Sequence, residues 1–124
     1  MALQDSGTVS IIDDDELMRG ALQGLLREAE LPARAFASAE EFLRSGAQHR
    51  SSCLIVDIRL PGMSGFDLQA RLNAEQIPIP IILITAHGDE QMRMQALRAG
   101  AADFLAKPFD DEVLLRSVRA ALGL

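Results

Sequence analysis

The sequence is poor in three features that would place it in common functional classes. It has one cysteine, which permits no internal disulfide and no metal site built from cysteines. No apolar run approaches the ~20 residues that cross a bilayer, and Met1–Gly7 has neither a basic start nor an apolar signal core. The sequence has 12 basic and 18 acidic residues, and the net charge of -6 argues against this domain binding nucleic acid by itself. We expect a cytoplasmic protein that contacts neither membrane nor DNA through this domain.

The hydrophobic pattern predicts one α/β domain. The 124 residues are 48% hydrophobic and contain no linker, so we assign 1–124 to a single domain, with about 8–122 structured. Five short apolar runs alternate with segments of helical periodicity, which favours a parallel sheet with helices on both faces. The runs are Thr8–Ile12, Ala33–Ala37, Cys53–Val56, Ile81–Ile84 and Asp103–Ala106. We predict a capping box at Ser38–Glu41 and a last helix over Phe109–Leu122.

The central run ends abruptly in an acid. Asp57 follows four apolar residues, and Leu60-Pro61-Gly62 then breaks the backbone. Ligands of open parallel sheets bind at the carboxyl ends of the strands, so Asp57 is a candidate for chemistry. The alternative is that Asp57 only ends a strand and satisfies a turn.

Four acids follow the first strand. A helix start accounts well for Asp15 and Glu16, because carboxylates cap and stabilise helix N-termini. Asp13 and Asp14 abut the strand and would repel each other unless a cation intervenes. We favour a site for Mg²⁺, which binds through one or two carboxylates plus waters and phosphate oxygens. The alternative is that all four acids serve the helix start.

Two further strand ends carry polar groups. Thr85 ends the fourth run, and Lys107, followed by Pro108, comes after the fifth. A threonine there is ordinarily strand filler or a cap, and a lysine before proline is ordinarily an exposed loop cation. In a parallel sheet both would lie on the same rim as Asp57.

Together these residues resemble the receiver domain of a two-component response regulator over essentially the whole chain. The matching features are the acidic pair, Asp57 with Pro61 and Gly65 downstream, Thr85-Ala86, and Lys107-Pro108 with Phe104 before it. Among receivers, the segments Leu-Pro-Gly-Met-Ser-Gly and Ile-Thr-Ala-His-Gly-Asp most resemble those of the FixJ-like type. The resemblance implies a flavodoxin-like (βα)5 fold whose parallel strands have the order 2-1-3-4-5.

The resemblance also implies a site chemistry. Asp57 would accept a phosphoryl group from a histidine kinase and become 4-aspartylphosphate. Mg²⁺, or Mn²⁺ in its place, would be held by Asp14, Asp57 and the backbone carbonyl of Arg59, with Asp13 acting through water. Lys107 would complete the catalytic set with the threonine at position 85, and the peptide bond after Lys107 would be cis.

A switch and a control of phosphate lifetime are expected by the same resemblance. Thr85 would move towards the phosphoryl group, and Phe104 would rotate from exposed to buried, although an ordinary core aromatic is the alternative for Phe104. Arg59 and His87 stand two residues beyond Asp57 and Thr85. Since strand residues alternate in direction, we predict that both project over the site and tune phosphate lifetime, unless they are merely solvated loop residues.

The predicted function is therefore that of a signalling receiver. It is not an enzyme acting on a separate substrate, but it would catalyse its own phosphorylation and dephosphorylation. Its partners would be a sensor histidine kinase, a second copy bound through the face of the fourth helix, fifth strand and fifth helix, and a separate DNA-binding output domain. The rivals are a stand-alone receiver acting by protein contacts and a haloacid dehalogenase-type phosphohydrolase. The phosphohydrolase expects a second aspartate where Arg59 stands, and a nucleotide-binding module would need a glycine-rich phosphate loop that is missing here.

Overall fold

The computed structural model describes residues 8–124, in which five strands alternate with five α-helices. The strands are β1 (Val9–Ile12), β2 (Ala33–Phe36), β3 (Cys53–Asp57), β4 (Ile81–Thr85) and β5 (Asp103–Ala106). The helices are α1 (Glu16–Glu28), α2 (Ala39–Ser45), α3 (Gly65–Ala74), α4 (Glu90–Arg98) and α5 (Asp111–Leu122). The prediction about a signal core in Met1–Gly7 lies outside the described residues. Within residues 8–124, no helix is long and apolar enough to cross a bilayer.

The strands form one parallel sheet in the order β2-β1-β3-β4-β5. The flavodoxin-like order that the resemblance implied is confirmed, and the weakly apolar β2 is an edge strand. Because β1 and β3 are neighbours, with Ile12 beside Val56, the residues that follow them meet at one edge of the sheet. The fold therefore brings the acids after β1 close to Asp57.

Helices cover both faces of the sheet, as predicted. Leu54 and Val56 of β3 point to one face, where α2, α3 and α4 pack. Cys53 and Ile55 alternate to the other face, where α1 and α5 pack. All four side chains are fully buried. A parallel sheet covered on both faces explains why the strands read as continuous apolar runs.

Two predictions about helix starts need correction. Ser38 accepts the N–H of Glu41, but the Glu41 carboxylate accepts the N–H of Ala37 instead of that of Ser38, so the capping box is only half formed. The last helix begins at Asp111, not at Phe109, because Asp110 has extended backbone (φ -71°, ψ 141°) and occupies the N-cap position. Phe109 packs against the α1–α5 side of the core before the helix starts.

Candidate functional site

Three carboxylates gather where β1 and β3 end. Asp57 is the last residue of β3, and Asp13 and Asp14 directly follow β1. One carboxylate oxygen from each of the three lies within 4.8 Å of the other two. Asp13 is fully buried, Asp57 is 7% exposed, and Asp14 is exposed to solvent. The cluster is therefore closed to solvent at Asp13 and Asp57 and open to solvent at Asp14.

Local turns fix the two buried carboxylates. Oδ1 of Asp13 accepts the N–H of Asp15 at 2.9 Å, and Oδ1 of Asp57 accepts the N–H of Arg59 at the same distance. Side-chain bonds of this kind to the backbone two residues on are typical of aspartate in turns. The guanidinium group of Arg19 also donates to the carbonyl oxygen of Asp13 at 2.8 Å. Both carboxylates are therefore oriented by their own strand-to-helix loops.

Lys107 joins the two buried acids. Its Nζ lies 3.0 Å from Oδ2 of Asp57 and 3.2 Å from Oδ2 of Asp13. Its backbone N–H donates to the carbonyl oxygen of Thr85 at 2.8 Å, which continues the β4–β5 pairing past the end of β5. The peptide bond between Lys107 and Pro108 is cis, as the resemblance implied.

The pKa values of Asp13 and Lys107 are both raised, but for different reasons. Burial raises the pKa of Asp13 above its usual value, and the Asp57 charge adds to this, against the opposing effects of the Asp15 N–H and Lys107. Burial alone would lower the pKa of Lys107, but the hydrogen bond to Asp57 and the charges of Asp13 and Asp57 outweigh it, and the pKa is raised. Lys107 is consequently a firmly protonated cation at neutral pH.

The donor set fits a hard divalent cation. The cluster holds three carboxylates, and Lys107 pairs with two of them, so it keeps a net negative charge when all three are ionised. A carboxylate has about four lone-pair sites. In Asp57, Oδ1 accepts the N–H of Arg59 and Oδ2 accepts a hydrogen bond from Lys107 Nζ. The remaining lone pairs of both oxygens are available to a metal or to phosphorus. Oxygen ligands of this kind suit Mg²⁺. The part assigned to the Arg59 carbonyl stays a prediction.

Thr85, the last residue of β4, lies fully buried on the same rim. Its Oγ1 accepts the N–H of His87 at 3.3 Å. A threonine hydroxyl also has one hydrogen to donate, so this contact leaves Thr85 able to act as a donor.

Arg59 and His87 were predicted to project over the site because strand residues alternate in direction, and this reason is wrong. β3 ends at Asp57 and β4 ends at Thr85, so both residues lie in turns where strand alternation does not apply. Their backbone N–H groups bond to the side chains of Asp57 and Thr85, and both residues are exposed. They stand next to the site through these turns, and their effect on phosphate lifetime stays a prediction.

Phe104 occupies a buried position. The residue is 9% exposed and belongs to the core between the sheet and α2, α3 and α4. The exposed starting position that the resemblance implied is not seen in this structure. The predicted rotation stays a prediction, and the alternative of a core aromatic describes the observed position.

Two supporting residues were not recognised from the sequence. Oε2 of Glu40 on α2 accepts the N–H of Met63 at 2.8 Å, which braces the loop after Asp57 and lowers the pKa of Glu40. A methyl group at Gly65 would lie only 2.7 Å from the carbonyl oxygen of Asp57. Gly65 was noted as part of the resemblance without a role, whereas no local pattern could reveal a contact between residues 40 and 63.

The chain is similar to known proteins over most of its length. The family described as response regulator receiver domain matches residues 9–119. Nodulation protein W of Bradyrhizobium diazoefficiens is 49% identical over 113 residues, which cover 91% of this chain and 50% of that protein. Transcriptional regulatory protein FixJ of Azorhizobium caulinodans is 40% identical over 121 residues, which cover 98% of this chain and 57% of that protein. The chain therefore spans about half the length of these curated relatives.

Solved structures agree with the sequence comparisons. The crystal structure of FixJ-N superposes with a TM-score of 0.85 at 40% identity, covering 94% of this chain and 93% of that one. The response regulator StyR superposes with a TM-score of 0.86 at 43% identity, covering 94% of this chain and 59% of that one.

Proposed function

Because the chain belongs to the family of response regulator receiver domains and is similar to FixJ-like members, we propose that it accepts a phosphoryl group on Asp57. The observation that carries this proposal is the position of Lys107, whose ammonium group lies between Asp57 and Asp13. A protonated amine beside a carboxylate at a strand edge supplies positive charge where phosphoryl oxygens would arrive.

Asp57 acts as the nucleophile. One of its carboxylate oxygens forms a bond to phosphorus while the bond between phosphorus and the donor imidazole nitrogen breaks, and that electron pair leaves with the nitrogen. The Arg59 N–H holds the carboxylate in place, and Lys107 neutralises charge on the phosphoryl oxygens. Asp14, Asp57 and the backbone carbonyl of Arg59, with Asp13 acting through water, would hold Mg²⁺ or Mn²⁺, which would supply further neutralisation of negative charge. In dephosphorylation, water attacks phosphorus and the carboxylate leaves.

Thr85 couples this chemistry to the rest of the fold. A phosphoryl group on Asp57 adds oxygens that accept hydrogen bonds, and the Thr85 hydroxyl is a buried donor on the same rim. Movement of Thr85 would disturb its bond to the His87 N–H and so the loop that leads into α4. The response then reaches the face formed by α4, β5 and α5, with Phe104 of β5 as part of the switch.

The partners follow from the family and from the relatives. We assign the phosphoryl donor to a sensor histidine kinase, and we assign phosphorylation-dependent homodimerisation to the α4–β5–α5 face. The name of the FixJ relative describes a transcriptional regulatory protein, and the match to this chain covers 57% of the length of that protein. We therefore infer that DNA is contacted by a separate output domain, which agrees with the net charge of -6 here. The cytoplasmic location stays a prediction.

The test is to incubate the protein with Mg²⁺ and a small acyl phosphate and to measure its intact mass. We expect one phosphate adduct on the wild type and none on Asp57→Asn, which removes the nucleophile with little change of shape. Circular dichroism of Asp57→Asn provides the control that the fold is intact. An equal adduct on both proteins would show that Asp57 is not the acceptor.

Two further outcomes identify the rivals. Sustained hydrolysis of a phosphomonoester, lost in Asp57→Asn, would identify a phosphohydrolase and contradict the receiver assignment of the site. No adduct and no turnover would leave a module that acts by protein contacts alone.

A further inference from the structure

The space beside Gly88 is closed by two side chains on neighbouring strands. A methyl group at Gly88 would lie 2.9 Å from Cζ and 3.0 Å from Cε1 of Phe104, and 3.0 Å from Cγ2 of Thr85. Carbon atoms in good contact are about 3.5–4.0 Å apart, so a methyl group does not fit while the ring stays there. The backbone of Gly88 is not in the left-handed region, so what requires glycine here is space and not conformation.

The same space links three parts of the molecule. Thr85 ends β4, Phe104 lies on β5, and Gly88 directly precedes Asp89, the N-cap of α4. The Asp89 carboxylate accepts the N–H of Met92, and Met92 packs against the core that contains Phe104. A change in the position of the Phe104 ring would therefore alter the packing both at Thr85 and at the first turn of α4.

We propose that Gly88 is a positioning residue that admits the Phe104 ring to its buried place against Thr85, and so sets how strongly Thr85 is coupled to α4. A side chain at position 88 would displace the ring, because the ring edge is the movable end of a side chain while Thr85 is short and fixed at the end of a buried strand. The coupling part of the proposal rests on the proposed phosphoacceptor function; the steric part does not.

Gly88→Ala tests the steric part without any phosphate. The sequence has two threonines, Thr8 and Thr85, so methyl-labelled threonine gives two NMR signals that are easily assigned. Thr8 lies just before the start of β1, whereas Thr85 lies at the end of β4. The two threonines are therefore at opposite ends of the parallel strands, and Thr8 serves as an internal reference. The aromatic ring of Phe104 shifts the signal of a methyl group beside it, and Phe104→Leu gives the position of that signal without a ring.

We expect Gly88→Ala to move the Thr85 methyl signal most of the way to its position in Phe104→Leu and to weaken the nuclear Overhauser contact between this methyl group and the ring. Gly88→Ala combined with Phe104→Leu measures the direct effect of the added methyl group, which is subtracted. Gly20→Ala, where a methyl group meets nothing within 4 Å, is the matched control and should leave both signals in place. An unchanged ring contact in Gly88→Ala would overturn the proposal.

The coupling part is measured on the phosphorylated protein. We expect Gly88→Ala to take up phosphate to the wild-type extent but to lose the phosphorylation-dependent change in amide exchange of α4. An α4 response in Gly88→Ala equal to that of the wild type would overturn the coupling. If the wild type takes up no phosphate, the proposed function fails, while the methyl signal still decides the role of Gly88.

Discussion

Gly65→Ala is expected to perturb the phosphoacceptor residue through its backbone. The added methyl group would lie 2.7 Å from the carbonyl oxygen of Asp57 and 2.8 Å from Cα of Ile58, and neither backbone atom can rotate away. The N–H of Gly65 also donates to the carbonyl oxygen of Ile58 at 2.9 Å, which holds the start of α3 against this strand end. Either α3 or the end of β3 has to move.

The expected cost follows from two opposing effects. Overpacking of this kind costs about 1–3 kcal/mol, and replacing glycine by alanine recovers about 0.4–1 kcal/mol through the unfolded state. At the midpoints of these ranges the net loss is about 1.3 kcal/mol, or about 5 °C in Tm for a domain of this size. The closest contact must widen by 0.7 Å to reach the 3.4 Å at which ordinary contact begins. Since a ~1 Å misplacement can cost ~100-fold in rate, we expect phosphorylation to slow by about 10-fold.

The assay combines thermal unfolding with the rate of adduct formation from a small acyl phosphate and Mg²⁺. Gly20→Ala is the matched control: Gly20 is exposed on α1 with nothing near its methyl position, so its replacement should stabilise by about 0.5–1 kcal/mol without changing the rate. The two substitutions should therefore shift Tm in opposite directions. A Gly65→Ala protein as stable and as reactive as the wild type would refute the steric link between α3 and Asp57.

Three further predictions concern the metal, the turns beside the site and the thiol. Asp14→Ala should lose Mg²⁺ affinity and phosphoryl uptake together, and unchanged affinity in a Mg²⁺ titration would count against its role as a ligand. Arg59→Ala should shorten phosphate lifetime and His87→Ala should alter it, as measured by decay after donor removal; identical decay in both variants and the wild type would remove them from lifetime control. Burial raises the pKa of Cys53 from 9.0 to about 12, and the residue is fully buried, so iodoacetamide should label the native protein at least ~10³-fold more slowly than the unfolded chain at neutral pH; comparable rates would contradict a closed core. Because the folded thiol resists ionisation, its contribution to stability should be complete below pH 9.0 and be lost as pH rises towards about 12.

A local pattern was sufficient to predict where β3 ends. The four apolar residues before Asp57 and the break at Leu60-Pro61-Gly62 mark the end of β3 correctly, because a strand buried on both faces needs a continuous apolar run. The capping box that the structure shows at Ser64 and Asp67 was not predicted, whereas the one predicted at Ser38–Glu41 is only half formed. The strand order came from the resemblance, since no local pattern encodes which strands pair.

Contacts between distant residues could not be predicted in the same way. The bond from Lys107 to Asp13 joins residues 94 apart, and the sequence placed both on one rim without showing that the lysine bridges the acids. The ring of Phe104 lies within 3.0 Å of where a methyl group at Gly88 would be, and this closeness is a property of packed segments that no local pattern encodes. Single-sequence reasoning identifies groups that end strands, whereas the fit between them is set by tertiary packing.

The most direct test of the proposed function is to identify which carboxylate holds the phosphate. Three acids, Asp13, Asp14 and Asp57, lie within 4.8 Å of one another, so an adduct on the intact protein does not by itself distinguish them. Sodium borohydride reduces an acyl phosphate to an alcohol and so converts a phosphorylated aspartate to homoserine, which tandem mass spectrometry locates in the digested protein. We expect homoserine at position 57 alone, and homoserine at position 13 or 14 in place of position 57 would contradict the assignment.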